Sequence, residues 1–220
     1  MSYDRKDRPD IVDNVSTNMI DALNLNIPKI KSLDISSGYF ELSGYDLIRN
    51  TLEPASEKSD FVIRLLLGED AISAPVLNTF EDYRKKIKTD ETKSFSTKSL
   101  GENLDDAIFT QDNMNSASSL VKMLKRNNIQ VRHNDRRFNH AKCYILGKDM
   151  ALVGSSNFTK SGFEGNRELN AAIYTPASLD KIYKWFNRMW FDAKDTKQEI
   201  IESVRTIEVW DTTKSIPDIY

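Results

Sequence analysis

Short strand-like runs interleaved with helical stripes along these 220 residues predict an α/β fold, a mixed β-sheet flanked by helices on both faces. Two observations carry that reading. The apolar run at 61–67, FVIRLLL, is too short and too β-rich for a core helix, so it reads as a buried strand. Elsewhere apolar residues recur at helical spacing, as Ile182, Trp185, Phe186 and Met189 do, which marks a helix with one buried stripe.

Taken in order, residues 1–31 start irregularly and carry an expected helix over 10–23. SLDISSGYF at 32–40 is a first strand ending in small residues, and 44–52 a short helix stopped by Pro54. The strand at 61–67 ends at Gly68. Pro75 opens a helix running to about Lys88, with Phe80, Tyr83 and Ile87 at helical spacing. The polar, Ser- and Thr-rich stretch 89–99 is a loop. Residues 116–127 place Leu120, Met123 and Leu124 on one helical face and stop at Asn127-Asn128. Strands follow at 129–133, 142–146, 151–153 and 168–174, then an amphipathic helix over 179–191 and a last helix over 197–204. Residues 1–193 are read as one domain, and 194–220 as a helical extension or the start of a link to a further domain. The apolar finish IPDIY suits either a docking strap or a junction inside a longer protein.

Composition narrows the function classes. Hydrophobic residues are 39% and charged residues 29% of the chain, an ordinary balance for a soluble protein. Nothing approaches the ~18 consecutive apolar residues of a membrane-spanning helix. The start, MSYDRKDRPDIVD, lacks the apolar core of a secretory signal, and the single Cys143 cannot form an internal disulfide; both suit a cytoplasmic protein. Net charge is −2, so total charge does not advertise nucleic acid, but its distribution is uneven. Between Lys122 and Lys142 seven cationic residues face one acid, Asp135. A solvated helix face explains such a run as well as a phosphate track does, but this run leads directly into the segment with the chemistry.

That segment is 140–170, HAKCYILGKDMALVGSSNFTKSGFEGNRELN. His140 and Lys142 are two apart, and strand alternation projects them side by side. Gly154-Ser155-Ser156-Asn157 is a small turn rich in hydroxyl and amide donors, able to approach an anion. Glu168 opens the next strand. An imidazole, a fixed cation, hydroxyl and amide donors and a carboxylate together suit phosphoryl chemistry. Cys143 alternates to the opposite face and reads as core. Trp185, Phe186, Met189 and Trp190 read as helix packing ahead of a base-stacking platform, and Lys181, Lys184 and Arg188 as solvated cations ahead of phosphate contacts.

The positions of His140, Lys142, Ser155, Asn157 and Glu168 resemble the HKD motif of the phospholipase D superfamily, in the short single-motif form of its nuclease branch. Ser-Gly-Tyr-Phe at 37–40 is similar to that branch's first-strand signature, and the order of elements from about 32 to 192 is compatible with the fold. One departure is Gly147, where the family pattern commonly has Asp; Asp149 lies two residues later. The resemblance implies a phospholipase D-like sheet and a metal-independent phosphodiesterase with no cofactor and no metal ligands. His140 would attack phosphorus to form a phosphohistidine, and a second His would protonate the leaving oxygen. Lys142, Ser155 and Asn157 would hold the phosphate, and Glu168 would orient an imidazole.

Only His133 and His140 occur in the chain, and only His140 sits in the motif. The resemblance therefore implies a homodimer with a shared site, His133 being the competing partner within the chain. Ser156, Arg136, Arg137, Phe138 and Asn139 are the candidate substrate contacts. DNA is the expected substrate, RNA a lesser one, with the chain fused to or working beside a helicase and with no membrane partner. The alternatives are a nucleic-acid-binding module with little activity, or a lipid phosphodiesterase.

Overall fold

A computed structural model describes residues 8–68, 111–134, 139–202 and 204. The expected helix at 75–88 and loop at 89–99 lie outside them. Eight strands form one mixed sheet: β1 (Ile11–Val12), β2 (Ser32–Ser37), β3 (Val62–Leu67), β4 (Ile129–His133), β5 (Lys142–Leu146), β6 (Met150–Gly154), β7 (Asn170–Ile173) and β8 (Lys194–Asp195). Their order across the sheet is β1-β7-β6-β5-β2-β3-β4-β8. β2, β3 and β4 run parallel, and β5, β6 and β7 antiparallel to their neighbours. The expected mixed sheet is present.

Helices cover both faces, as expected. Alternation along the strands sends Leu33, Ile63, Leu65, Tyr144 and Leu152 to one face, where they pack with α1 (Met19–Asn26), α2 (Leu42–Ser56) and α3 (Gln111–Leu124). Leu66, Cys143, Ile145 and Ala151 point the other way, onto Leu179, Phe186 and Trp190 of α4 (Pro176–Asp192). Cys143 is core, and burial pushes its thiol up to about 12.

Two arginines dock α4. Arg64 donates from Nε and Nη2 to the buried Asp34, 2.6 Å each, and from Nη1 to Asn187 at 2.8 Å, with its guanidinium stacked near Phe186 and Trp190. Arg132 lies 4.9 Å from the Trp190 ring centre and donates to the Trp190 carbonyl. Among the described residues no helix is long and apolar enough to cross a membrane.

Some elements differ from expectation. The helix expected over 10–23 is a strand, a turn and a later helix. The Asp13 carboxylate accepts from the backbone N–H of Val15, Ser16 and Thr17, which holds its pKa down to about 2, and Asn14 takes a left-handed φ of 57°. Asn18 caps α1 by accepting from Asp21 N–H. These short polar side chains satisfy backbone groups locally and so compete with helix. α2 runs through Pro54, which has no N–H to donate to the Asn50 carbonyl, and ends two residues later at Ser56. The strand expected from Ser32 to Phe40 ends at Ser37, and Glu168 precedes β7 rather than opening it. β8 pairs with β4, and Ile200, Ile201 and Val204 join the main core.

Candidate functional site

The candidate residues collect where β5 starts, β6 ends and β2 gives way to the loop before α2. β5 and β6 are antiparallel with Lys142 opposite Gly154, so the HxK segment and the GSSN turn occupy one sheet end. β5 also pairs with β2, Cys143 opposite Ser36, which brings Ser37-Gly38 alongside. β2 is flanked by a parallel and an antiparallel neighbour. Its carboxyl end runs directly into Gly38, against which His140 and Asn157 lie.

Gly38 sets the spacing. A Cβ added there would lie 3.3 Å from His140 Cδ2 and 3.4 Å from Asn157 Oδ1, so imidazole and amide converge on this bare backbone. The 37–41 loop clamps the turn. Phe40 stacks on Phe158 at 4.7 Å, Glu41 N–H donates to the Phe158 carbonyl, and Phe158 N–H donates to Ser37 Oγ. Asn157 Oδ1 accepts from Tyr39 N–H at 3.3 Å and from Ser37 Oγ at 3.4 Å. Its amide oxygen being held there, the NH2 is left to donate outward. Ser37-Gly38-Tyr39-Phe40 thus has a physical role: hydroxyl, close approach, amide donor and ring.

His140 is exposed and lies two residues before β5, so the strand alternation expected to align it with Lys142 starts two residues late. The two remain coupled, because Lys142 Nζ donates to the His140 carbonyl at 2.7 Å. Lys142 is 6% exposed, and its pKa is lowered by burial, against an opposing pull from Glu168. No ion pair neutralises it among the described residues. A poorly hydrated ammonium beside an imidazole can receive a phosphate oxygen.

Ser155 and Glu168 form a second pair. Ser155 Oγ donates to Glu168 Oε2 and accepts from Leu169 N–H at 3.0 Å, and Asn166 Nδ2 reaches Glu168 Oε1 at 3.4 Å. Ser156 is fully buried, with Asn170 Nδ2 donating to its hydroxyl at 2.8 Å and Tyr144 OH to its carbonyl at 3.0 Å. Asn139 is 9% exposed and donates to Ser36 Oγ at 2.8 Å. Both are turned into the fold, away from the position expected of substrate contacts. Arg136, Arg137 and Phe138 lie outside the described residues.

The basic run is partly used up by structure. Arg126 donates to Ser56 Oγ and Glu57, Arg132 is held by Trp190, and Lys142 is at the site, while Lys122 and Lys125 are exposed on and just beyond α3. Residue counting could not separate these roles. Trp185 packs against the core beneath α4, as its helical spacing predicted, and Lys181 is exposed. Together with His140 and Lys142 they line a cavity of about 360 Å³ between the sheet end and α4. Helical spacing alone could not show which end of the sheet α4 crosses. His133 ends β4, beyond β3 from the 37–41 loop, and its buried Nε2 has no hydrogen-bond partner among the described residues.

Comparison with known proteins agrees with this geometry. The family model described as "Cardiolipin synthase, PLD-like domain" matches residues 24–190. A curated protein of Canis lupus familiaris, mitochondrial cardiolipin hydrolase, is 30% identical over 97 residues, covering 43% of this chain and 38% of that protein. The match therefore spans about two fifths of the relative's length. Among solved structures the chain is similar to a phospholipase D family member, Nuc from Salmonella typhimurium, with TM-score 0.53 and 13% identity over 84% of this chain and 95% of that one. It is also similar to phosphatidylserine synthase from Haemophilus influenzae Rd KW20, with TM-score 0.50 and 12% identity over 95% of this chain and 46% of that one. At such identities the likeness is one of fold.

Proposed function

The chain belongs to the phospholipase D-like domain family, and on that premise we propose that it is a metal-independent nuclease, hydrolysing DNA phosphodiesters at a site shared by two copies of the chain. The observation that carries this reading is the meeting of His140 and Asn157 at Gly38, with Lys142 Nζ bonded to the His140 carbonyl at the same sheet end. A ring nitrogen of His140 attacks phosphorus, forming an N–P bond as the P–O bond to the leaving strand breaks. The departing oxygen takes a proton from the second copy's imidazole. Water then gives that imidazole a proton and attacks phosphorus, releasing His140. Lys142 and the Asn157 NH2 neutralise charge on the non-bridging oxygens. Ser155 is held by Glu168, and that pair steadies the turn and sets the local field; Ser156 and Asn139 act by fixing the loops rather than by touching substrate.

One observation favours a second reading. The curated relative is named a cardiolipin hydrolase, and a lipid phosphodiester would meet the same reacting groups. The deciding experiment measures oligonucleotide cleavage and cardiolipin-vesicle hydrolysis in excess EDTA, wild type against His140→Ala. Chelator-resistant DNA cleavage that the substitution abolishes is the expected result. Lipid turnover alone would transfer the proposal to the lipid class, and salt-sensitive DNA binding without cleavage would reduce the chain to a binding module.

A further inference from the structure

The cavity beside His140 has a composition that phosphate chemistry alone does not need. Its sheet side is His140, Lys142 and Val153; its helix side is Lys181, Ile182 and Trp185 of α4. At about 360 Å³ it falls in the lower part of the range of small-ligand sites, roughly 300–1,000 Å³. Trp185 and Ile182 are half-buried, Val153 is 37% exposed, and Lys181 is exposed. Lys181, Trp185 and Arg188 are spaced i, i+4 and i+7, so they form one stripe along α4. The neighbouring Lys184 is spent on Asp180 at 2.8 Å, whereas Lys181 and Arg188 make no ion pair among the described residues.

We infer that this cavity seats the nucleotide next to the scissile phosphate, its base against Trp185 and Ile182 and its next phosphate on Lys181, with Arg188 continuing the track. This rests on the nuclease reading above. Three features select a nucleotide. His140 and Lys142 are among the residues that line the cavity, so an occupant lies beside the reacting group. It combines an aromatic ring with a cation a turn away, the pairing by which single strands are held with little regard to sequence. α4 forms one wall and the other side is open to solvent, so a flat ring can enter with its phosphate toward Lys181. α4 would then do two jobs, Phe186 and Trp190 docking on the sheet while the partly buried Trp185 packs against the same core and lines the cavity with Lys181.

The test is steady-state cleavage of a single-stranded 20-mer by wild type, Lys181→Glu, Trp185→Ala and Trp185→Phe, with Lys184→Glu as a charge control outside the cavity. Lys181→Glu and Trp185→Ala are expected to raise KM about tenfold or more, Trp185→Phe to restore most of the loss, and Lys184→Glu to match wild type. Removing the cation with Lys181→Ala should also lower the slope of log affinity against log salt by about 0.7, a change that a packing role would not produce. Melting curves for each variant separate misfolding from lost contact. KM and salt slope unchanged in folded Lys181 and Trp185 variants would overturn the inference while leaving the nuclease reading intact. So would a defect that appears only on cardiolipin vesicles. A wild type that cleaves no nucleic acid would remove the premise itself.

Discussion

Burial makes Lys142 the side chain whose titration reports on the site. Water is scarce around its ammonium, and this outweighs the pull of Glu168, so its pKa lies below the usual 10.5. Only the protonated form can neutralise a phosphate, so its contribution is present at neutral pH and is lost as pH rises through the lowered value. The alkaline limb of kcat/KM should therefore fall on the acid side of 10.5, and Lys142→Arg, which stays charged, should remove it. An alkaline limb unchanged in the arginine variant would assign it to another group. Lys142→Ala should cost about 10²–10³ in kcat, the scale of losing one preorganised charge-stabilising group. The motif positions could be picked out because few side chains offer such chemistry at such spacing, and the fold brings His140 and Asn157 together at Gly38. Ser156 and Asn139 were not legible, since their burial depends on Asn170 and Ser36, partners set only by strand pairing.

At the scale of elements, strand pairs and helix docking place these groups. Strands at 129–133 and 142–146 were legible to the residue because β4 and β5 are short apolar-rich runs between polar breaks. β1 was not: two residues carry no period, and its place depends on Asn170 reaching the Val12 carbonyl at 3.1 Å. The docking of α4 was half legible. Its apolar stripe was visible, but the pairing of Arg64 with Asp34 beneath it was not, because 30 residues separate them in sequence. Asp34 is 3% exposed, so Arg64→Met would strand a carboxylate in the core and should cost about 3–5 kcal/mol in denaturant unfolding. The double variant with Asp34→Leu should recover much of that loss. A single variant as stable as wild type would show that the pair contributes nothing net.

For the whole molecule, the proposed mechanism needs a second imidazole, and with a single motif histidine in the chain it predicts a second copy facing the first. The surface beside the site suits that contact: Leu169 is 64% exposed next to Glu168, an apolar side chain that a partner would cover. Sedimentation should find a dimer in wild type, and Leu169→Asp should shift it toward monomer with a parallel loss of activity at low protein concentration. An active, strictly monomeric enzyme would refute the shared site and return attention to His133. The mixed sheet with helices on both faces was legible from the alternation of element types alone. The distribution of charge was partly informative, because Arg126 and Arg132 are bound to Glu57 and Trp190 while Lys142 reaches the site. The most direct test is to quench a single turnover on labelled oligonucleotide in alkali and map the label by mass spectrometry. The account expects an acid-labile nucleotidyl adduct on the peptide carrying His140, absent in His140→Ala; cleavage with no adduct, or an adduct on another residue, would contradict it.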